Sequence, residues 1–405
     1  MWRRSVARLA TAFSQGLKRY GVAALLVAGL SACSTVKAPP PVAQAPQPLP
    51  APMAQPVAPQ TVKVALLLPL TGPSAQIGQP MLDAAQLALF DMAGEGFELL
   101  PRDTKGTPNG AADAARQAIA EGARLILGPL FGAEVAAVKP VAQNAGVELL
   151  AFTNDWTQGG PGAYVMGFVP AYQVERVAGY ARSQGITRYV ALAPRTPYGD
   201  AVVSALQTVS QRLGGTVAQV ERYDPAVPDL SIPAKQVAQA QSQPQAVLLA
   251  EGGARAQGIA SALASNGVAP QQVKLLGTGL WDDAQTTNLG QEPALVGAWY
   301  AAPAPQPRAE FEAKFEQTYG RKPPRIATLS YDATAIAAVL ARIGGPAAPF
   351  DRTALTNPSG FEGIDGLFRL RPNGLVERGL AVLEVTPTGS RVVDPAPPNF
   401  DVLGQ

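Results

Sequence analysis

The chain has 405 residues, of which 47% are hydrophobic and 15% charged, with a formal net charge of +2. That length and apolar fraction suffice for a buried core and for two or three units of ordinary domain size. There is no histidine and a single cysteine. This excludes an intramolecular disulfide, a thiolate metal cluster, and any Cys-His or Ser-His-Asp nucleophile, so neither a metal nor another cofactor is expected.

Arg3, Arg4, Arg8, Lys18 and Arg19 all precede Cys33, and no acid does. Beyond them the chain carries 27 basic against 30 acidic residues, about −3, which is no electrostatic footprint for nucleic acid. Val22 to Leu30 is a short apolar run with the length of a secretory h-region rather than of a membrane span. It ends in Leu30-Ser31-Ala32-Cys33, which resembles the lipobox of bacterial lipoproteins. The resemblance implies that residues 1–32 are a signal peptide and that Cys33 becomes the acylated N-terminus, a membrane anchor of several acyl chains. Ser34 in that pattern implies export to the outer membrane. Residues 39–60 are rich in Pro, Ala and Gln and carry no charge. Proline removes donors and fixes φ, so the segment 33–60 is expected to be an extended linker with a reach of roughly 80 Å at most.

From Thr61 the pattern changes to alternating strand and helix. Val62 to Leu70 is a near-continuous apolar run, as a strand buried on both faces requires. A helix over Gln79–Phe90 follows, with Pro80 suited to its first turn. Next come a strand at Phe97–Pro101, a helix at Ala111–Glu121, and a strand at Arg124–Leu127 ended by Gly128-Pro129. A helix at Ala133–Asn144 leads to a strand at Val147–Phe152. After a divide near Gly167–Pro170 the unit recurs. Strands are expected at Tyr189–Leu192, Thr216–Arg222, Ala246–Leu249 and Val273–Leu276. Helices are expected at Asp200–Leu213, Ser231–Gln241 and Ala254–Asn266. Two helices, Glu310–Tyr319 and Ala327–Ile343, and an Asn373-Gly374 turn complete the chain. Strands separated by helices of this length imply right-handed βαβ units and parallel sheets.

Ligands of open α/β sheets sit beyond the carboxyl ends of strands, where helix N-termini also converge. The segments there are Leu70–Ser74, Gly128–Phe131, Thr153–Trp156, Tyr198–Asp200, Glu251–Gly253 and Gly279–Asp282. They supply the candidate cleft residues Thr71, Ser74, Leu130, Phe131, Thr153, Asn154, Tyr198, Glu251 and Trp281.

Leu68-Pro69-Leu70-Thr71-Gly72-Pro73-Ser74, Arg102-Asp103-Thr104, Ile126-Leu127-Gly128-Pro129 and Pro197-Tyr198-Gly199-Asp200 occur in an order that resembles the type I periplasmic binding proteins of the leucine/isoleucine/valine receptor group. The resemblance covers roughly Lys63 to Val393. It implies an α/β fold of two lobes, each a mostly parallel sheet flanked by helices, joined by three crossovers, closing over a ligand without catalysis. Lobe I is expected at 61–168 and about 278–357, lobe II at 169–277 and about 358–395, with a tail at 396–405. Amino-acid receptors of that group hold the ligand carboxylate with hydroxyls and amides after Gly-Pro-like strand ends. Here the segment is Leu130-Phe131-Gly132-Ala133-Glu134, with no Ser or Thr, and a Glu134 facing the cleft would repel a carboxylate. Thr153, Asn154 and backbone N–H groups are also available for that role in this chain.

Two functions are carried forward. With its anchor, its linker and the ending Phe361–Leu370 with Val376–Leu380, the chain resembles lipoproteins that activate penicillin-binding proteins. That resemblance implies a non-enzymatic outer-membrane partner of a bifunctional penicillin-binding protein in peptidoglycan synthesis. The alternative is a receptor that delivers an amino acid or similar small polar solute to an ABC permease.

Overall fold

The computed structural model describes residues 61–239, 243–268, 270–282, 288–344 and 348–400, all within one compact unit, Val57–Gln405. The expected signal peptide, Cys33 and the linker lie outside the described residues. The first lobe runs β1 (Val62–Leu68), α1 (Ala75–Met92), β2 (Phe97–Asp103), α2 (Pro108–Ala120), β3 (Ala123–Leu127), α3 (Gly132–Asn144), β4 (Glu148–Ala151) and β5 (Ala163–Val165). Its strands pair in parallel in the order β2-β1-β3-β4-β5.

The apolar run of β1 is explained by what covers each face. Val64, Leu66 and Leu68 pack with Met81 of α1, whereas Ala65 and Leu67 pack with Ala111, Ala115, Val135 and Val138 of α2 and α3. Side chains alternate across a strand, so a strand sandwiched between helix layers must be apolar at every position. Leu66, Leu67 and Leu68 are fully buried, each contributing roughly 1.5–3 kcal/mol from removal of its surface from water.

The second lobe runs α4 (Pro170–Ser183), β6 (Arg188–Pro194), α5 (Pro197–Arg212), β7 (Thr216–Tyr223), α6 (Ser231–Ala238), β8 (Ala246–Leu249), α7 (Gly253–Ser265), β9 (Lys274–Gly277) and β10 (Trp299–Ala302). The same logic holds there. Val190 and Leu192 of β6 face Val237, Ile259 and Leu263, while Tyr189, Ala191 and Ala193 face Val174, Val177, Val202 and Leu206. The chain then returns to the first lobe with α8 (Pro305–Tyr319), α9 (Ala327–Gly344), α10 (Arg352–Leu355) and the antiparallel strands β11 (Phe361–Gly363), β12 (Gly366–Leu370) and β13 (Val376–Arg378). It finishes in the second lobe with β14 (Ala381–Thr386) and β15 (Gly389–Asp394), antiparallel additions to a sheet of order β15-β14-β10-β9-β8-β6-β7. The fold is thus a two-lobed α/β architecture of parallel sheets flanked by helices, and the chain passes between lobes near residues 168, 303 and 379.

The structure moves several expected boundaries. β10 hydrogen-bonds β9 and β14, and Leu289, Ala294 and Leu295 join the second lobe's core, so residues 278–302 belong to the second lobe and not the first. Conversely, Phe368, Leu370 and Val376 pack with Leu66 and Leu329, which places residues 361–378 in the first lobe and not the second. Pro80 lies inside α1 rather than in its first turn. α5 starts at Pro197, behind a Thr196 side chain that accepts from Gly199 N, so Tyr198 sits in a helical turn and not a loop. α1 and α5 are seated close on strand-end carbonyls: a Cβ on Gly78 would lie 2.1 Å from Pro69 O, and one on Gly199 2.1 Å from Pro194 O. Only glycine permits that approach.

A cleft between the lobes

The carboxyl ends of the parallel strands in both lobes face one cavity of about 570 Å³, within the range of small-molecule sites. Gly167, Phe168 and Pro303 contribute from the first and second crossovers. The first lobe supplies Leu130 and Phe131 after β3, Phe152, Thr153 and Asn154 after β4, and Arg325, Ile326 and Leu329 around the start of α9. The second lobe supplies Gln173, Tyr198, the Gly252-Gly253 entry to α7, and Gly279, Leu280 and Asp282 after β9.

Most polar groups in this wall are already bonded within the protein. Gln173 is 5% exposed, and its Oε1 accepts from Gly279 N at 2.8 Å. The Tyr198 hydroxyl lies 2.7 Å from Thr278 Oγ1. Burial pushes the Tyr198 phenol well above its ordinary value, so it acts only as a neutral hydrogen-bonding group. Thr153 Oγ1 accepts from Asp155 N at 3.1 Å. Gly167 packs against the Thr153 carbonyl so closely that a Cβ would lie 2.1 Å from it, which ties the first crossover to the end of β4.

The charged groups form a buried network beside the crossovers. Arg325 Nε is 3.2 Å from Asp282 Oδ2, and its Nη2 is 2.8 Å from Asp365 Oδ1. Arg308 also pairs with Asp282. The Arg325 and Arg378 guanidiniums lie 4.5 and 4.8 Å from the centre of the Phe168 ring, and Arg378 Nη2 donates to Met166 O at 2.8 Å. Burial alone would pull Arg325 down, but Asp365 and Asp282 outweigh it and hold the guanidinium above its ordinary value. For Asp365, burial is outweighed by Arg325 and Arg378, and its carboxyl stays below the usual range. Since Asp282 lies in the second lobe and Arg308 and Arg325 in the first, the two Asp282 pairs bridge the lobes at the hinge.

Of the residues expected at the cleft, the structure brings together Leu130, Phe131, Thr153, Asn154 and Tyr198. It takes Thr71 and Ser74 elsewhere. β1 stops at Leu68, and Asp103 accepts from Leu70 N at 2.9 Å, Thr71 N at 3.2 Å and Thr71 Oγ1 at 2.6 Å, which pins that loop to the end of β2. Ser74 stands at the N-cap of α1. Glu251 and Trp281 are used inside the second lobe: Tyr223 Oη donates to Glu251 Oε1 at 2.6 Å and Trp281 Nε1 donates to Glu251 O at 2.7 Å. A short 3-10 turn over Gly279–Trp281 folds the indole against Tyr300, leaving it 4% exposed, while Leu280 and Asp282 line the cavity. Glu134 does not face the cleft; it is 1% exposed and accepts from Phe131 N at 3.2 Å as a helix cap, with its carboxyl raised chiefly by burial. Gln173, Phe168 and Arg325 were not anticipated. Gln173 lies on a helix the sequence reading did not assign. Arg325, an isolated charge between Pro324 and the apolar start of α9, was the available signal.

A curated protein of Rickettsia prowazekii (strain Madrid E), itself uncharacterised, is 22% identical over 163 residues, 40% of this chain and 43% of that protein's length, so the match spans under half of it. The leucine binding protein of Thermotoga maritima superposes with a TM-score of 0.61 at 22% identity, covering 84% of this chain and 99% of that one. A branched-chain amino acid ABC transporter periplasmic ligand-binding protein from Burkholderia xenovorans gives a TM-score of 0.70 at 18% identity, covering 85% and 97%. A solute binding protein of an ABC transporter from R. palustris, solved with benzoate, gives 0.60 at 18% identity, covering 84% and 97%. Likeness at these identities speaks to the fold. Residues 61–390 match the family described as periplasmic binding protein, and the chain belongs to that family.

Proposed function

We propose that this protein is the solute-binding receptor of an ABC transporter, working in the periplasm without catalysis and handing a small ligand to a permease. The observation that carries the reading is the single cavity built from the strand ends of both lobes, with its floor at the crossovers. A ligand held there touches both lobes and so favours the closed arrangement by its differential contacts. The solute-binding role printed for structural neighbours in that fold adds support. The other reading, activation of a bifunctional penicillin-binding protein, rests on Cys33, residues 39–60 and the chain ending, and it draws no support from the comparisons. The lipid anchor belongs to both readings, because a tethered receptor also samples a permease. If Cys33→Ser remains in the membrane fraction, the anchor is wrong.

The test of function is a thermal-shift screen of the purified protein against amino acids, aromatic compounds, short peptides and muropeptides. A ligand at about 100 times its Kd adds about 2.7 kcal/mol of stability, a readable shift. A shift with a small solute is the expected result. A flat screen on folded protein, together with stimulated glycan synthesis by a bifunctional penicillin-binding protein, overturns the receptor reading in favour of the activator.

A further inference from the structure

We propose that the cleft selects an uncharged ligand, with an apolar ring or branched body and a carboxamide or hydroxyl polar end, over the corresponding carboxylate or amino acid. This rests on the receptor reading above and narrows it to a ligand class. The charged side chains lining the cavity are Asp282 and Arg325, and both are spent. Arg325 is held by Asp282 at 3.2 Å and Asp365 at 2.8 Å, with Nη1 also 3.2 Å from Thr328 Oγ1. Asp282 is shared between Arg325 and Arg308. The surrounding cluster adds Arg378, beside Asp365 and an Asp332 whose carboxyl is pushed up to about 7 by burial, and Glu312, 3.4 Å from Arg308 Nε. The guanidiniums of Arg308, Arg325 and Arg378 are thus matched by the carboxylates of Asp282, Asp365 and Glu312.

A ligand carboxylate would therefore enter an apolar-walled cavity without an uncompensated cation and with Asp282 in its wall. An anion held by neutral donors alone, with no countercharge, costs more to bury than a carbonyl making the same hydrogen bonds. A ligand ammonium fares no better, because the one acid in the wall already carries two guanidiniums. The groups left over are neutral. With Gln173 Oε1 taken by Gly279 N, the Gln173 amide N–H₂ has no acceptor among the described residues. Asn154 is exposed in the cleft wall, its amide also without a partner among the described residues. The Thr153 hydroxyl accepts from Asp155 N and keeps its proton to donate. Donors of this kind match a carbonyl or hydroxyl oxygen, and Leu130, Phe131, Phe152, Phe168 and Leu280 suit an apolar body.

The test is isothermal titration near neutral pH with matched pairs, benzamide against benzoate and 4-hydroxybenzamide against 4-hydroxybenzoate, together with L-leucine and L-phenylalanine. The amides are expected to bind at least about tenfold more tightly than their acids. Tighter binding of a carboxylate or an amino acid overturns this proposal and leaves the receptor reading standing. No heat from any compound at millimolar concentration overturns this ligand class, and leaves the receptor reading to the broader thermal-shift screen. Asp282→Asn supplies the second arm: it leaves one guanidinium charge uncompensated in the wall, so benzoate should gain about tenfold over wild type while benzamide changes by less than about threefold. A variant that folds and shows no such gain refutes the charge argument. Should that variant not fold, Asp365→Asn exposes the same Arg325 charge from its other side.

Discussion

Arg325→Met removes a guanidinium that satisfies two carboxylates at once. Arg325 contacts Asp282 and Asp365 at 3.2 and 2.8 Å, its side chain is 17% exposed, and its guanidinium stacks 4.5 Å from the Phe168 ring centre. Methionine fills much of the volume but leaves Asp365 fully buried with one fewer partner. Breaking a buried pair from one side costs about 3–5 kcal/mol, because the remaining charge stays desolvated. With about 2.1 cal/mol/K of unfolding entropy per residue over roughly 330 residues, that corresponds to a Tm lower by about 4–7 °C. The assay is calorimetric unfolding of wild type, Arg325→Met, and the double variant Arg325→Met/Asp365→Asn. The double variant should recover about 1–3 kcal/mol relative to the sum of the single losses, since the residues share one network. A single-variant drop under about 1 °C, or losses that simply add, would refute the view that these charges hold one another in a dry hinge.

Three further outcomes are expected. Tyr198→Phe removes the 2.7 Å contact to Thr278, which is fully buried; chemical denaturation should show a loss of about 1–3 kcal/mol, and no loss means that the Thr278 hydroxyl finds another partner. Gly78→Ala places a methyl 2.1 Å from Pro69 O, and the forced shift of α1 should cost at least about 1–3 kcal/mol, where a neutral or stabilising result would show that the helix moves freely. Asp332 is pushed up to about 7 by burial, reinforced by Asp365. The folded state therefore holds a proton that the unfolded chain releases near 3.8, so this group favours folding fully below that pH and the contribution is lost as pH rises through about 7. Asp332→Asn removes that titration, and the variant should lose less stability than wild type across this window, by up to about 4 kcal/mol. Parallel urea midpoints for the two proteins at every pH would contradict it.

Much of this architecture is a local property of the chain. The runs at Val62–Leu68 and Ala246–Leu249 are apolar at nearly every position because helices cover both faces of their sheets, and that requirement is visible without coordinates. The order of strands and helices up to β9, apart from β5 and α4, follows from the same periodicities. So do the strand-end positions of Leu130, Phe131, Thr153 and Asn154, because the carboxyl end of a parallel strand lies on one side of its sheet by construction.

What tertiary structure decided is everything that depends on pairing at a distance. Trp299–Ala302 is a four-residue strand too short to carry a periodicity of its own; only its bonds to β9 and β14 assign it to the second lobe. Trp281 and Asp282 are adjacent in the chain, yet the 3-10 turn sends the indole into the core and leaves the carboxylate in the cleft wall. Arg325 lies 43 residues from Asp282 and 40 from Asp365, so nothing local shows that its charge is cancelled. Side-chain periodicity reports which face of an element is dry. Where two dry faces meet, and which charges they bury together, is set by long-range packing that adjacent residues do not encode.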